Sequence, residues 1–330
     1  MKLIVPCVDC DAESARLRKQ GFVVSACKPI STRPGMCELE FDVPQAVAMP
    51  AGGGGAHLMA AAPGPAVVPV ENFTGRGNPL TQGGLDHAAS GLGVNLPALW
   101  SVMTVETRGC GFLPDRRPQI LFERHVFHEE TKGKFDKTAP DLSNAVAGGY
   151  GSGGASQYGR LERAVALDRQ AALNSTSWGL GQIMGFNATS AGFADVETMV
   201  AAMAQTEDAQ LLGLVNFVAK KGLAKYLKNE DWAGFAAGYN GAGYKNRGYD
   251  EKLKLAFTRF SVGPLPNLEV RMAQLLLTYQ GYKPGSVDGW FGDNTQKAVI
   301  RFQKANALPV SGKLDDATLV ALSATNPGQG

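Results

Sequence analysis

Hydrophobic residues recur at helical spacing along most of the chain, and this pattern predicts a mainly α-helical protein. Between Leu96 and Thr107 the apolar residues cover more than one helical face, so we expect a buried helix there. Asn95 suits the residue that caps its start, Pro97 suits its first turn, and Gly109 suits the position beyond its end. Further helices are predicted over residues 123–131, 158–173, 196–204, 207–220, 232–239 and 250–260.

Short apolar runs near the N-terminus predict strands over residues 3–5, 22–24 and 37–43. Residues 11–20 have the pattern of a capped helix that ends at Gly21. We therefore expect residues 1–45 to form a small α/β unit. Residues 46–79 are rich in glycine, alanine and proline, which is typical of a linker. One more short strand is predicted over residues 119–122.

Two prolines, Pro264 and Pro266, mark a second boundary. Beyond them the apolar pattern predicts three helices, over residues 268–279, 295–306 and 315–322, and Asp315 stands where the last helix should begin. The larger part of the chain therefore divides into a middle domain, residues 80–262, and a C-terminal three-helix domain, residues 267–323. A core of that size is small but sufficient for independent folding.

The composition is ordinary for a globular protein, with 330 residues, 44% hydrophobic, 19% charged and a formal charge of +2. Without a basic excess there is no reason to propose nucleic acid as a partner. The apolar run before Pro6 is too short for a signal peptide, and glycines and prolines interrupt the uncharged stretch over residues 43–70. We expect no membrane insertion, so another factor must carry the protein to any target outside the cytoplasm.

Four of the five cysteines fall within the first 37 residues, and they can be interpreted in two ways. A zinc site is one interpretation, although the second spacing is longer than in common zinc ribbons. Semi-buried thiols without metal are the other, which we favour. His125 and His128 alone do not make a metal site, so we expect no metal or cofactor in the middle domain. The clustered cysteines are Cys7, Cys10, Cys27 and Cys37.

Glu106 closes the apolar run of the predicted core helix and precedes a glycine-rich turn. Its carboxyl should lie in the last turn of that helix, where the helix dipole is negative. Apolar surroundings and the dipole both disfavour the charged form, so the pKa of Glu106 should be raised. A carboxylic acid that stays protonated near neutral pH can protonate a glycosidic oxygen. The alternative is an ordinary helix-end glutamate in a surface salt bridge.

The C-terminal domain carries three motifs: D-G-W-F-G at residues 288–292, T-x-x-A-V-x-x-F-Q at 295–303 and L-P-V-S-G at 308–312. With these motifs the domain resembles the three-helix type of bacterial peptidoglycan-binding domain. The glycines suit turns, Thr295 suits a helix start, and Val299 and Phe302 suit the core. The resemblance implies a domain that holds the protein on the wall and raises its effective concentration there.

The middle domain carries four motifs in order: V-E-T-R-G-C-G-F at residues 105–112, I-L-F-E-R-H-V-F at 120–127, S-W-G-L-G-Q-I-M-G at 177–185 and A-G-Y-N-G at 237–241. With these motifs, residues from about 95 to 260 resemble the phage-type N-acetylmuramidases of the lysozyme-like superfamily. The resemblance implies that Glu106 is the general acid. It also implies a glycan cleft, whose neutral side chains suit the hydroxyl and amide groups of N-acetylated sugars. The implied cleft residues are Ser177, Gln182, Tyr239 and Asn240.

The same residues have structural interpretations, and a second carboxylate is undecided. Residues 177–184 can be a capped helix start, and residues 239–240 can be a helix end with a core aromatic. An inverting glycosidase needs a base across the cleft, with room for a water. Glu123, Asp115 and Asp136 are candidates for that base, and we favour a structural or supporting role for Glu123, paired with Arg124 or His125.

Taken together, the residues imply a lysozyme-like catalytic domain, a three-helix peptidoglycan-binding domain and a small α/β N-terminal unit. The expected activity is hydrolysis of the β-1,4 bond from N-acetylmuramic acid to N-acetylglucosamine, as in a phage endolysin. The alternatives are a lytic transglycosylase, a lysin delivered by a phage tail or secretion system through residues 1–45, and an inactive wall-binding tail protein. We expect a monomer unless tail-bound, acting in the periplasm or on the wall after holin release or delivery.

Overall fold

The computed structural model describes residues 2–6, 23–29, 36–42, 71–107, 109–241 and 243–326, and the chain divides into the units Met1–Gly55 and Ala56–Gly330. The first unit holds an antiparallel three-stranded sheet in the order β1-β3-β2. Its strands are β1 (Lys2–Pro6), β2 (Val23–Pro29) and β3 (Met36–Asp42). The three predicted strands are therefore confirmed, and the helix predicted over residues 11–20 lies outside the described residues.

Cys27 lies on β2 and is disulfide-bonded. A cysteine in a disulfide has no thiolate to offer a metal, so it is neither a zinc ligand nor a reduced thiol. Both interpretations of this residue from the sequence are therefore wrong. Cys7 and Cys10 lie outside the described residues, and Cys37 lies on the central strand β3, opposite Val5 and Pro29.

The predicted middle domain is mainly helical, with one small antiparallel sheet in the order β4-β5-β6. The strands are β4 (Ile120–Phe122), β5 (Thr176–Trp178) and β6 (Ile183–Met184). Around the sheet lie α1 (Gln82–Leu92), α2 (Leu96–Thr107), α3 (Arg124–Glu130), α4 (Ser156–Leu167), α5 (Arg169–Asn174), α6 (Val196–Gln205), α7 (Glu207–Lys220), α8 (Ala224–Lys228), α9 (Trp232–Asn240), α10 (Tyr244–Arg247) and α11 (Tyr249–Val262).

Helix α2 is the core helix that the apolar pattern predicted, and α11 packs along it. Leu99 and Met103 are fully buried. Its predicted ends are also confirmed, because Asn95 Oδ1 accepts a hydrogen bond from the Ala98 N–H at 2.9 Å. At the other end Gly109 has a φ of +85°, which favours glycine, and its N–H donates to the Met103 carbonyl at 3.2 Å. The two caps fix the ends of α2, and they therefore fix the position of Glu106 in its last turn.

Two of the sequence predictions for this domain are wrong. The helix predicted over residues 158–173 is two helices, α4 and α5, because Asp168 has an extended backbone and its side chain caps α5 by accepting from the Ala171 N–H at 3.0 Å. The apolar spacing continues across this break and hides it. The helix start proposed as an alternative for residues 177–184 is instead the β5–β6 hairpin, in which Ser177 pairs with Leu121 and Met184.

The C-terminal domain consists of α12 (Leu268–Tyr279), α13 (Asp293–Ala305) and α14 (Asp316–Ala324), as predicted. Asp315 caps α14 through the Thr318 N–H at 3.0 Å. Thr295 does not start α13, which begins two residues earlier; its buried hydroxyl accepts a hydrogen bond from Gln274 Nε2 at 3.1 Å. The three helices enclose a core of Ala273, Leu276, Leu277, Ala298, Val299, Phe302 and Leu322.

No single helix in the described ranges is long and apolar enough to cross a membrane. Among the described residues, the pair α1 and α2 meets the length and composition criteria when taken together, and the two helices are bent by 108° relative to each other.

Candidate active site

Glu106 is the second-last residue of α2, and its side chain is half-buried. Asn240, the last residue of α9, donates a hydrogen bond from Nδ2 to Glu106 Oε1 at 3.2 Å. The two residues are 134 positions apart in the chain, so the fold brings the first and the last of the four motifs together.

The pKa of Glu106 is raised from 4.5 to about 7. Burial is the main cause, and the hydrogen bond from Asn240 and the positive charge of Lys252 oppose it only in part. Near neutral pH the carboxyl is therefore divided between its protonated and ionised forms. Among the described residues no cation forms a salt bridge with Glu106, so the surface salt bridge considered as its alternative is absent from this part of the chain.

Ser177 lies on β5, and Gln182 is the last residue of the turn that joins β5 to β6. Ser177 Oγ donates to Gln182 Oε1 at 3.0 Å, and Gln182 Nε2 donates to the carbonyls of Gly179 at 2.9 Å and Gln119 at 3.2 Å. Gln182 itself has a φ of +48°, which is unusual for a residue with a side chain. The polar atoms of both residues are thus used within the protein, where they hold the turn in shape.

Tyr239 supports the same turn from α9. Its hydroxyl donates to the Gly181 carbonyl at 2.6 Å, and its ring stacks on Phe235 with centroids 5.2 Å apart. Thr107 adds a contact from the end of α2, because its hydroxyl lies 3.2 Å from the Leu180 carbonyl. Asn240 is thus the predicted cleft residue that hydrogen-bonds to Glu106, and the other three hold the turn between β5 and β6 in shape.

Asn240 differs from the other three predicted cleft residues. Its Oδ1 atom is buried and has no hydrogen-bond partner within the described residues. Leaving a buried acceptor unpaired costs about 1–3 kcal/mol, which makes such an atom a candidate for a ligand contact. An amide N–H or a hydroxyl of a bound sugar would supply the missing donor.

Glu123 follows β4 and is the residue before α3, and its Oε2 atom is buried. Oε2 lies 3.2 Å from His125 Nδ1 without hydrogen-bond geometry, so His125 is next to Glu123, as predicted, but does not hydrogen-bond to it. The Tyr150 hydroxyl also interacts with Glu123. Arg247 forms hydrogen bonds with the side chains of both Tyr150 and Tyr249. Burial, and then Glu123, raises the pKa of Tyr150, whereas Arg247 opposes this.

The other two candidate carboxylates are committed to local pairs. Asp115 is exposed and lies 2.7 Å from Arg117 Nη2, and the Arg117 guanidinium stacks over the Tyr158 ring. Asp136 accepts hydrogen bonds from Ser143 and His128, which hold the pKa of Asp136 below its usual range. Within the described residues no three His, Cys, Asp or Glu side chains are grouped as metal ligands would be.

Two residues that support the site were missed from the sequence, Glu207 and Gln210, both in the first turn of α7. Glu207 accepts the Gly111 N–H at 2.8 Å, and Gln210 Oε1 accepts the Leu180 N–H at 2.8 Å. An acidic residue at a helix start looks ordinary in a sequence. The one signal in the sequence was the glycine at position 111. The structure explains it, because a Cβ atom there would lie 1.8 Å from Gln210 Oε1.

Comparisons with known proteins identify the families that two parts of the chain match. The family model of N-acetylmuramidases matches residues 95–261, and that of peptidoglycan-binding domains matches residues 266–322. A solved structure, the Burkholderia AP3 phage endolysin, is 43% identical with a TM-score of 0.51, over 55% of this chain and 70% of that chain. The carboxy-terminal processing protease CtpB of Bacillus subtilis (strain 168) is 36% identical over 74 residues, which are 19% of this chain and only 15% of the protease.

Proposed function

Because the chain belongs to the N-acetylmuramidase family, we propose that it is a peptidoglycan hydrolase with Glu106 as its general acid. It cleaves the β-1,4 bond between N-acetylmuramic acid and N-acetylglucosamine. The observation that carries the proposal is a carboxyl of raised pKa, half-buried beside Asn240 and without a salt bridge in the described part of the chain. Raising a carboxyl pKa toward the working pH is how glycosidases keep such an acid protonated.

In the reaction, Glu106 donates its proton to the glycosidic oxygen as the bond from that oxygen to C1 breaks. Positive charge develops on the sugar ring, and a water adds to C1. The product then carries a reducing N-acetylmuramic acid end. General acid catalysis of this kind contributes about 10²–10⁴-fold to the rate.

Asn240 is the residue best suited to contact the sugar directly. Its Nδ2 holds Glu106 while its unpaired Oδ1 accepts from the acetamido N–H or a hydroxyl of the substrate. Ser177, Gln182 and Tyr239 shape the wall of the cleft, because their polar atoms hold the turn between β5 and β6.

Glu123 is the better candidate for the base that receives a proton from the attacking water. Its buried Oε2 has no hydrogen-bond partner in the described ranges, and Glu123 lies next to the Tyr150 hydroxyl, which also contacts Arg247. Asp115, by contrast, is exposed and paired with Arg117. Glu123→Gln should therefore lower turnover far more than Asp115→Asn, and equal effects would remove Glu123 from this role.

The C-terminal domain binds peptidoglycan and keeps the enzyme on its substrate. The enzyme acts as a monomer and reaches the wall by holin release. A phage tail or a secretion system bound through residues 1–45 is the alternative route. Co-purification of the wild-type protein with a tail or secretion-system component, lost on deleting residues 1–45, would support the second route.

Mass spectrometry of products released from purified sacculi tests the function. Wild type should release reducing N-acetylmuramic acid ends, Glu106→Gln should be at least about 100-fold slower, and Glu162→Gln, an exposed glutamate of α4, should match wild type. A 1,6-anhydro product would instead identify a transglycosylase. Binding without any release of products would identify an inactive wall-binding protein.

A further inference from the structure

A buried ion pair joins the C-terminal domain to the catalytic region. Arg271 of α12 and Glu207 of α7 have side-chain exposures of 1% and 0%. Both guanidinium nitrogens Nη1 and Nη2 donate to the carboxylate, the second to Oε1 at 2.6 Å. This two-point geometry fixes orientation as well as distance.

The pair holds the turn that follows Glu106 from both sides. Arg271 Nε donates to the Gly109 carbonyl at 2.8 Å, and Nη2 donates to the same oxygen. Glu207 accepts the Gly111 N–H at 2.8 Å. Gly109 and Gly111 stand three and five residues after Glu106, so their placement determines where the last turn of α2 ends.

Other contacts of the C-terminal region surround this pair. Tyr279 of α12 donates its hydroxyl to the Gly77 carbonyl at 2.8 Å. Arg116 stacks over the Tyr279 ring at 4.2 Å and donates to Asn326 Oδ1 at 2.8 Å. Beside them lies an apolar cluster shared by the two domains, made of Cys110, Phe112, Leu275 and Val287. The C-terminal domain is therefore docked against the catalytic region, and it is not a separate body on a flexible tether.

We propose that Arg271 is a positioning residue of the active site, so that the wall-binding domain completes the catalytic domain. The inference rests on the proposed function, because it assigns Arg271 a part in placing Glu106. Arg271 acts through the turn at residues 109–111. It donates hydrogen bonds to the Gly109 carbonyl, and its positive charge balances Glu207, whose carboxylate accepts the Gly111 N–H.

This arrangement changes what the wall-binding domain does. A tethered domain would raise only the local concentration of enzyme and would be dispensable on a soluble substrate. A docked domain that holds the end of α2 is needed for turnover on every substrate. It also fixes the direction in which the cleft meets the bound wall.

Kinetics on soluble, uncross-linked glycan strands test the proposal, because wall anchoring does not limit that reaction. Arg271→Met should lower kcat about 10-fold to 100-fold, as small misplacements of catalytic groups do, with little change in KM. It should also move the alkaline midpoint of kcat to lower pH, since loosening the turn lets water reach Glu106. Arg271→Lys keeps the charge with fewer donors and should lie in between. Arg163→Met, which removes an exposed pair with Asp141, is the matched control and should match wild type.

A paired variant covers the case in which Arg271→Met does not fold. Glu207→Met with Arg271→Met removes both buried charges, a replacement that buried pairs often tolerate. This protein should fold and bind sacculi like wild type, yet show the same loss of kcat and the same shift of the pH midpoint. Wild-type kcat, or a reduced kcat with an unchanged pH midpoint, would overturn the positioning role. Failure of wild type itself to cleave the strands would instead reject the proposed function.

Discussion

Two glutamates flank the same turn, and the protein treats them in opposite ways. Glu207 is fully buried, but Arg271 and the N–H groups of Gly111 and Leu80 surround its carboxylate with donors. Glu106 is only half-buried, yet within the described residues the Asn240 amide is the one side-chain donor that hydrogen-bonds to it, and Lys252 acts on it only as a charge.

The comparison shows that the partners of a buried carboxylate decide its chemistry more than its depth does. A carboxylate that has a cation and several N–H donors around it is compensated within the protein and serves a structural role. A carboxyl that loses water without gaining a cation binds its proton more tightly, which suits an acid catalyst. The shortage of hydrogen-bond donors and cations around the Glu106 carboxyl, among the described residues, is therefore the feature that points to a catalytic role.

The largest effect on stability should come from breaking the well-satisfied site. Glu207→Gln leaves the Arg271 charge buried without a counter-charge, so we expect the free energy of unfolding to fall by about 3–5 kcal/mol. Urea unfolding measures it, and Asp141→Asn in the exposed pair with Arg163 should cost less than about 1 kcal/mol. If the two variants lose equal stability, the buried Glu207–Arg271 pair contributes no more to the free energy of unfolding than an exposed pair does.

Replacing Glu106 should have the opposite effect and stabilise the protein at higher pH. Because the pKa of Glu106 is raised from 4.5 to about 7, the folded protein binds this proton more tightly than the unfolded chain does. Wild type therefore loses stability as pH rises through this window, whereas Glu106→Gln does not titrate. The variant should match wild type near pH 4 and exceed it at pH 8 by at most about 3 kcal/mol. A stability difference that is the same at every pH would contradict the raised pKa.

Local patterns in the sequence were enough to place Glu106 but not to explain it. The apolar run, the cap at Asn95 and the glycine at position 109 locate the end of α2 because each acts over a few residues. Contacts between residues far apart in the chain leave no local pattern in the sequence that would predict them. Glu207 reaches Arg271 across 64 positions, and Arg271 reaches Gly109 across 162.

The motifs identified the residues of the cleft better than their roles. Ser177, Gln182 and Tyr239 were expected to contact sugar, and the fold uses their polar atoms to hold a turn. Only coordinates could distinguish them from Asn240, whose buried oxygen is unpaired in the described residues. The break at Asp168 was missed for a related reason, because the apolar spacing is the same in a continuous helix and in two capped ones.

The smallest shifts should come from the groups that oppose the raised pKa. Asn240→Ala removes the hydrogen bond that lowers the Glu106 pKa, so the alkaline midpoint of kcat/KM should rise by about half to one pH unit. Lys252→Met should move it in the same direction by less, since an exposed charge is screened by salt. A midpoint that falls in either variant would show that the directions assigned to these two groups are wrong.

Direct titration of the Glu106 carboxyl tests the central claim, that burial, with no salt bridge in the described part of the chain, raises the pKa of this acid to near neutral pH. Carboxyl carbon-13 NMR of glutamate-labelled protein follows each side chain through a pH series, and the signal missing in Glu106→Gln identifies the residue. The account predicts a midpoint of about 7 for Glu106. A midpoint near the ordinary value of 4.5 would contradict it, because Glu106 would then be ionised when the enzyme works.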